Sequence, residues 1–125
     1  MSTRKTTQRT AVREAIETAD RPLSPQEILD LAQADQPGLG IATVYRAVKT
    51  GVQEGWLTPV DLPNGPTRYE PAGKQHHHHF ECTTCSAVFD VEGCPGNLKP
   101  LIPAGCELTG HEIILYGICA ACRAG

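Results

Sequence analysis

The sequence predicts an α+β protein, in which an N-terminal winged helix-turn-helix domain is followed by a small α/β domain with a three-stranded sheet and a four-cysteine zinc site. Three observations lead to this prediction. Apolar residues recur at helical spacing in the first half of the chain, short β-prone runs follow, and two Cys-x2-Cys turns frame the last third. A chain of 125 residues suffices for two small domains. We place them at residues 1–70 and 74–125, joined by a hinge at 71–73.

The first domain is expected to contain three helices. Apolar residues spaced three and four positions apart predict a helix over residues 7–19. Ser24, Pro25 and Glu27 have the pattern of a capping box with proline at the first helical position, so a second helix is expected to start there. A glycine-containing turn then leads into a third helix over residues 41–55. This order is that of a helix-turn-helix motif.

Two short runs after the third helix predict a β-hairpin. Residues 56–60 and 67–70 are apolar or β-prone, and a turn-forming segment, Pro63-Asn64-Gly65-Pro66, separates them. The two prolines weaken the hairpin signal, because proline cannot donate a hydrogen bond to a sheet. Three helices followed by a hairpin form a winged helix.

The second domain is expected to contain three strands. Residues 87–91 and 113–118 contain the apolar and β-branched residues typical of strands, and residues 77–82 are the third candidate. The segment 95–103 has room for only one or two helical turns, because Pro100 and Pro103 interrupt it. A three-stranded sheet is the simplest arrangement.

Charge is unevenly distributed along the chain. The formal net charge is -3, yet residues 1–13 carry four basic residues and no acidic one. Residues 61–125 carry seven acidic and four basic residues, which accounts for the whole net charge. The N-terminal end therefore suits phosphate groups, and the C-terminal part suits cations.

The composition also predicts the compartment. No apolar run is long enough to span a bilayer, and the N-terminus lacks the apolar stretch of a secretory signal. We therefore expect a cytoplasmic protein without membrane attachment, whose six cysteines stay reduced and bind metal. The alternative, an extracellular disulfide module, is disfavoured because nothing in the sequence directs export.

The paired Cys-x2-Cys turns are the most specific motif. Cys82 and Cys85 form the first, Cys119 and Cys122 the second, and 33 residues separate the two. Each turn directs two sulfurs at one point, so together they complete a tetrahedral zinc shell that has no open position for chemistry. Buried free cysteines are one alternative. A thioredoxin-like redox pair is another, disfavoured because neither turn precedes a recognisable helix in a βαβ unit.

Four consecutive histidines, His76 to His79, precede the first cysteine turn. Side chains alternate between the faces of a strand, so His76 and His78 are expected on one side, and His77 and His79 on the other. Two metal sites can therefore start from one stretch, and imidazole with carboxylate or thiolate ligands suits zinc or ferrous iron better than magnesium or calcium. A solvated histidine-rich loop is the alternative. The candidates for further ligands are Glu70, Asp90, Cys94, Cys106 and His111.

The third helix carries polar residues that suit nucleic acid. Thr43, Tyr45, Arg46 and Lys49 can donate hydrogen bonds to phosphate, and arginine can read guanine in the major groove. In isolation the same pattern also describes an ordinary amphipathic helix with a polar face.

Taken together, these motifs resemble those of the ferric uptake regulator (Fur) family, over about residues 5–123. The resemblance implies a dimeric, metal-sensing bacterial transcription regulator, usually a repressor, with an N-terminal winged helix and a C-terminal dimerisation domain. The segments that carry it are Thr7-Gln8-Arg9, Gly40-Ile41-Ala42-Thr43-Val44-Tyr45-Arg46-Ala47-Val48, His76-His77-His78-His79-Phe80-Glu81-Cys82-Thr83-Thr84-Cys85 and Leu115-Tyr116-Gly117-Ile118-Cys119-Ala120-Ala121-Cys122.

The resemblance also implies roles for particular residues. The four cysteines of the paired turns match a structural zinc site, and the basic arm with Lys5 and Arg9 lies near DNA, as do Tyr45 and Arg46. The sensory site between the domains corresponds to Glu70, His77, His79 and Asp90. A second site, inside the dimerisation domain, corresponds to His76, His78 and His111, with Cys94 where a carboxylate is expected.

Three departures from the family pattern affect the metal. No histidine precedes residue 76, so the further sensory histidine that many members take from the second-helix region is missing. Cys94 offers a thiolate in place of a carboxylate, which favours zinc over iron and resembles zinc uptake regulators. His78 also occupies the position of an aspartate that is typical of iron sensors.

We therefore predict a zinc-sensing repressor of metal homeostasis genes that binds operator DNA as a homodimer. Its cofactors would be structural Zn2+ and regulatory Zn2+, or regulatory Fe2+ or Mn2+. Alternatives are an iron-dependent or peroxide-sensing regulator of the same family and, in another class, a zinc storage or metallochaperone module. An enzyme is not expected, because the cysteine site is closed and His111-Glu112 lacks the spacing of a metallohydrolase motif.

Overall fold

The structure, a computed structural model, describes residues 3–125, with side chains from residue 6 onward. The chain forms two compact units, of which the first ends at Lys74 and the second comprises Gln75–Gly125. The predicted α+β class is confirmed. No helix within the described range is long and apolar enough to cross a membrane.

The first unit is a winged helix. Its elements are α1 (Thr3–Ala19), α2 (Pro25–Ala32), α3 (Ile41–Glu54), β1 (Leu57–Val60) and β2 (Arg68–Pro71). Helix α1 begins four residues before the predicted start at residue 7. Its first turn is entirely polar, so the apolar periodicity did not reveal it. The predicted capping box of α2 is present: the hydroxyl of Ser24 accepts from Glu27 N, and the Glu27 carboxylate accepts from Ser24 N.

The core of the first unit lies between the three helices and the hairpin. Val12, Ile16, Leu23, Ile28 and Val44 are almost completely buried there. Backbone hydrogen bonds in both directions between Leu23 and Tyr69 fasten the α1–α2 connection to strand β2. The antiparallel β1–β2 pairing closes the wing and ends close to Glu70, whose partner on β1 is Thr58.

The second unit contains the predicted three-stranded sheet. It consists of β3 (His78–Cys82), β4 (Val88–Val91), β5 (Ile114–Gly117) and α4 (Ala120–Ala124), with a 3-10 turn at Lys99–Leu101. The strand order is β4-β3-β5, with β3 antiparallel to β4 and parallel to β5. The register places His79 opposite Asp90 on β4 and opposite Ile114 on β5.

Two expectations about this unit need correction. Strand β3 begins at His78, so His76 and His77 lie before the strand. The second cysteine turn leads into a helix, α4, at Ala120, which the short segment after the turn did not indicate. Neither cysteine turn lies in a βαβ unit among the described elements, which is the context of a thioredoxin-like motif.

Candidate metal centres and nucleic-acid interface

The four cysteines of the paired turns lie together at one end of the three-stranded sheet. Sγ of Cys82 lies 3.8 Å from Sγ of Cys122, and Sγ of Cys85 lies 3.8 Å from Sγ of Cys119. None of them is in a disulfide, and Cys82 and Cys119 are buried. With Zn–S bonds of about 2.3 Å, a regular tetrahedron of sulfurs has edges of about 3.8 Å. The geometry of the cluster therefore fits a zinc ion.

The backbone around these sulfurs favours thiolate at one of them. The N–H groups of Cys85 and Cys119 donate to Sγ of Cys82 over 3.4 and 3.3 Å, and they lower the pKa of Cys82 to about 6. Hydrogen bonding with the Cys119 thiol, followed by that with Cys85, raises the pKa of Cys122 to about 12. Four thiolates cannot share this space without a cation, and a divalent metal would supply the missing positive charge.

A second group comprises His76, His78, Cys94 and His111, whose candidate ligand atoms all lie within 4.8 Å of one another. Nε2 of His111 lies 3.0 Å from Sγ of Cys94 and 3.3 Å from Nε2 of His76. Cys94 lies in the loop after β4, and His111 precedes β5. The loops next to the two outer strands therefore supply ligands to one place. Three imidazoles and one thiolate form a donor set that suits zinc.

His78 is the buried member of the second group. Its side chain is almost inaccessible to solvent, and burial, followed by repulsion from His76 and His111, lowers its pKa. The ring is therefore neutral at neutral pH, the form that can bind a metal. Its Nδ1 accepts from Ile113 N over 3.1 Å, while its buried Nε2 has no hydrogen-bond partner. Metal ligation through Nε2 requires the ring proton on Nδ1, so it would break the bond from Ile113 N–H.

A third set of donors lies on the other side of β3. Nε2 of His77 lies 3.4 Å from Oδ1 of Asp90, and Nε2 of His79 lies 3.5 Å from the same oxygen. Nδ1 of His77 lies 2.7 Å from the carbonyl oxygen of Gln75, which can only accept, so Nδ1 carries the proton. In the neutral ring, Nε2 then presents a lone pair toward the Asp90 carboxylate, an arrangement that suits a cation between them.

The carboxylate of Glu70 belongs to the first unit. It is at the end of β2, its side chain is 4% exposed, and Nζ of Lys74 lies 3.4 Å from its Oε2. The same ammonium lies 3.4 Å from Oδ1 of Asp20, which follows α1. Nothing in the sequence singles out Lys74 except its position four residues after Glu70, and the turn between them has no fixed periodicity.

Cys106 lies outside these groups. It is exposed and belongs to none of the clusters of potential metal ligands found among residues 3–125. It lines an open, mainly apolar cavity of about 390 Å³, to whose wall His111 also contributes. The two cysteines outside the paired turns therefore differ. Cys94 is in contact with His111, whereas Cys106 is in none of the ligand groups among the described residues.

The residues proposed for DNA lie on exposed surface of the first unit. Tyr45 is 56% exposed on α3, Arg46 is exposed beside it, and Thr43 accepts a hydrogen bond from the Arg46 guanidinium over 3.0 Å. Arg9 is exposed on α1, whereas the side chain of Lys5 lies outside the described residues. The buried face of α3, with Val44 and Val48, fixes which side of the helix remains available.

A winged helix that precedes a small domain with clustered cysteine and histidine ligands is the architecture of a metal-responsive transcription regulator. The chain belongs to the ferric uptake regulator family, whose model matches residues 1–116. Members of this family are transcription regulators and not enzymes.

Individual relatives include both iron and zinc regulators. The ferric uptake regulation protein of Bordetella parapertussis is 34% identical over 110 residues, which cover 84% of this chain and 78% of the relative. The zinc uptake regulation protein of Mycobacterium tuberculosis is 28% identical over 123 residues, with 96% and 95% covered. Among solved structures, a zinc-bound manganese uptake regulator has a TM-score of 0.76 at 24% identity, covering 89% of this chain and 86% of its own, which supports the fold.

Proposed function

We propose that this chain is a zinc-sensing, cytoplasmic repressor of metal homeostasis genes, which binds operator DNA as a homodimer. In this proposal residues 1–70 bind DNA, residues 71–73 act as a hinge, and residues 74–125 bind metal and form the dimer. The observation that carries the choice of metal is the 3.0 Å contact between Cys94 and His111. A thiolate among imidazoles selects zinc over ferrous iron or manganese, which prefer harder ligands.

The surfaces of each unit support the proposed partners. In the first unit, Tyr45 and Arg46 project from α3 and can contact bases and phosphates in the major groove. In the second unit, β5 is an edge strand, and Leu115 and Tyr116 on it and Ile118 just after it are about half exposed. An edge strand with exposed apolar side chains is suited to an interface with a second copy.

The proposed switch couples metal binding to the arrangement of the two DNA-binding units. Glu70 would join His77, His79 and Asp90 in a regulatory site across the hinge. His76, His78, Cys94 and His111 would form the second site, and the four-cysteine zinc would stabilise the dimerisation domain. Bound metal would hold two winged helices at the spacing of two half-sites one helical turn apart. Such coupling is typically about 1–3 kcal/mol and acts in both directions.

The test is DNA affinity as a function of metal. Duplexes selected from a random pool with zinc-loaded protein would serve as the operator, and fluorescence anisotropy would measure binding with zinc, iron(II), manganese or chelator. We expect zinc to raise DNA affinity about 5- to 150-fold. It should do so at a lower free concentration than iron(II) or manganese. Arg46→Ala should weaken binding in every metal state. Equal DNA affinity with and without all three metals would sink the proposal.

One observation favours an iron-dependent or peroxide-sensing regulator as the second candidate. The two nitrogens of His77 and His79 and the Asp90 oxygen form a two-histidine, one-carboxylate set, which is typical of non-haem iron(II) sites. Iron loading followed by peroxide, with mass spectrometry of the peptide that contains His77, distinguishes the two. Added oxygen at either histidine would favour this alternative. A protein that binds zinc but no DNA would instead be a storage or metallochaperone module.

A further inference from the structure

We propose that Lys74 is an internal competitor of the regulatory cation: its ammonium occupies the Glu70 carboxylate when metal is absent and leaves it when metal binds. This inference rests on the proposed function in one respect, namely that Glu70 is a metal ligand. It adds a residue that sets the metal concentration at which the switch responds.

The geometry of the first unit carries the proposal. Nζ of Lys74 lies 3.4 Å from Oε2 of Glu70 and 3.4 Å from Oδ1 of Asp20, so one ammonium bridges the end of β2 and the end of α1. Gly73 makes this possible, because its φ of +86° lies in the left-handed region and reverses the chain directly after β2. Lys74 therefore returns over Glu70 instead of continuing away from it.

Burial explains why the carboxylate needs a cation. The Glu70 side chain is 4% exposed, and a buried carboxylate without a compensating positive charge is unfavourable. Asp20 is 79% exposed and needs no such compensation, so its contribution is to hold the ammonium in place. The Lys74 ammonium thus faces two carboxylates. A divalent cation bound at Glu70 would supply the compensating positive charge in its place.

The ammonium and a metal cannot both be close to Glu70. A divalent cation on the Glu70 carboxylate would lie near the Lys74 charge and be repelled by it. The four-carbon stem of lysine allows Nζ to move into solvent, where the charge is strongly hydrated. Metal binding at Glu70 must therefore break the ion pair, and the apparent metal affinity falls by the corresponding factor.

The test compares Lys74→Met with Lys74→Arg. Mn2+ alone is the probe, measured by the electron paramagnetic resonance signal of the free ion, in full-length protein with its cysteine site filled by zinc and with His111→Ala to disable the second group. We expect Lys74→Met to tighten Mn2+ binding about two- to fivefold, on the scale of a partly exposed ion pair. Lys74→Arg, which keeps the charge, should bind like the parent.

Glu70→Gln separates failure of the inference from failure of the proposed function. It should weaken Mn2+ binding, and Lys74→Met should have no further effect in its presence. If Glu70→Gln leaves the affinity unchanged, Glu70 is not a ligand and the proposed site is wrong. If Glu70→Gln weakens binding but Lys74→Met does not tighten it, the site stands and the competitor role of Lys74 is wrong.

A second, independent measurement reports the accessibility of the Lys74 amine directly. Acylation of amines by a water-soluble ester, quantified by mass spectrometry, reports how accessible Nζ is. Mn2+ should increase acylation of Lys74 about threefold or more, on the scale of the ion pair that it breaks. Lys99, which is exposed in the second unit, should react equally in both states. Unchanged acylation of Lys74 at saturating Mn2+ would overturn the inference.

Discussion

Sγ of Cys94 lies 3.0 Å from Nε2 of His111, although the two residues are 17 positions apart and on different sides of the central strand. This contact gives the second ligand group its sulfur donor. It also distinguishes Cys94 from Cys106, which is exposed as well but belongs to no ligand group among the described residues. The predicted choice of zinc depends on this relationship.

Replacement of Cys94 by serine should weaken zinc binding selectively. We expect a loss of roughly 10- to 100-fold or more, since even outer partners of a metal ligand contribute on that scale. Competition against a zinc-binding dye measures the loss. Cys106→Ser is the matched control and should bind zinc like the parent. A Cys94→Ser protein with unchanged zinc affinity would show that the thiolate is not a ligand.

His76 and His77 are adjacent in sequence but belong to different donor sets. His76→Ala should remove the metal of the set with Cys94, whereas His77→Ala should remove the metal held with Asp90. Because the first set has a soft ligand and the second has only nitrogen and oxygen, His76→Ala should lose zinc and retain manganese or iron(II). Native mass spectrometry counts the metals in each variant. The same loss in both variants would contradict two separate sites.

The four-cysteine cluster should stabilise the second unit alone. Cys82→Ser removes a buried ligand, and we expect the free energy of unfolding of that unit to fall by about 4 kcal/mol or more, as for other losses of a structural metal. The first unit has its own core and should keep its protection against hydrogen exchange. Protection lost equally in both units would indicate that the cysteine site supports the whole chain.

Stability of the metal-free, reduced protein should rise with pH between about pH 6 and pH 9. The pKa of Cys82 is lowered from 9.0 to about 6 by the Cys85 and Cys119 N–H groups, so the unfolded state binds more protons in this window. The stabilisation is fully present above 9.0 and is lost as pH falls through about 6. The raised pKa of Cys122 acts in the opposite sense only above 9.0.

Thermal unfolding in the presence of chelator and reductant measures this dependence. Near pH 6, His78 adds to this pH dependence in the same direction. Its burial disfavours the charged ring and so lowers its pKa. Cys82→Ser should remove most of the slope above pH 7, where neutral histidine no longer contributes. An unchanged slope in Cys82→Ser would assign the effect to another group.

Gly51→Ala should destabilise the first unit. A Cβ on Gly51 would lie 2.7 Å from Cδ1 of Leu57 and 3.0 Å from the Trp56 ring, so side chains in the core would have to shift. We expect a loss of about 1–3 kcal/mol, as for other overpacked cores. Thr50→Ala, on the exposed face of the same helix, should be neutral or slightly stabilising. Denaturant unfolding of both variants decides the sign.

The sequence by itself determined the features that depend on residues close together along the chain. The capping box at Ser24 and Glu27 and the start of α2 follow from residues three positions apart, and helix propensity and turn chemistry act over such distances. The two cysteine turns were visible for the same reason. The family resemblance also rests on such short motifs. They are spread along nearly the whole chain, so the resemblance does not depend on how the chain packs.

Only the tertiary structure decided which distant residues meet. Residue type alone left both Cys94 and Cys106 as possible ligands, and the family resemblance favoured Cys94. The fold brings Cys94 into contact with His111. Helical propensity alone would have favoured alanine at Gly51, whereas the approach of Trp56 and Leu57 leaves no room for a Cβ. The ion pair of Lys74 with Glu70 likewise depends on a chain reversal. Contacts of this kind arise from packing between elements, which no local pattern encodes.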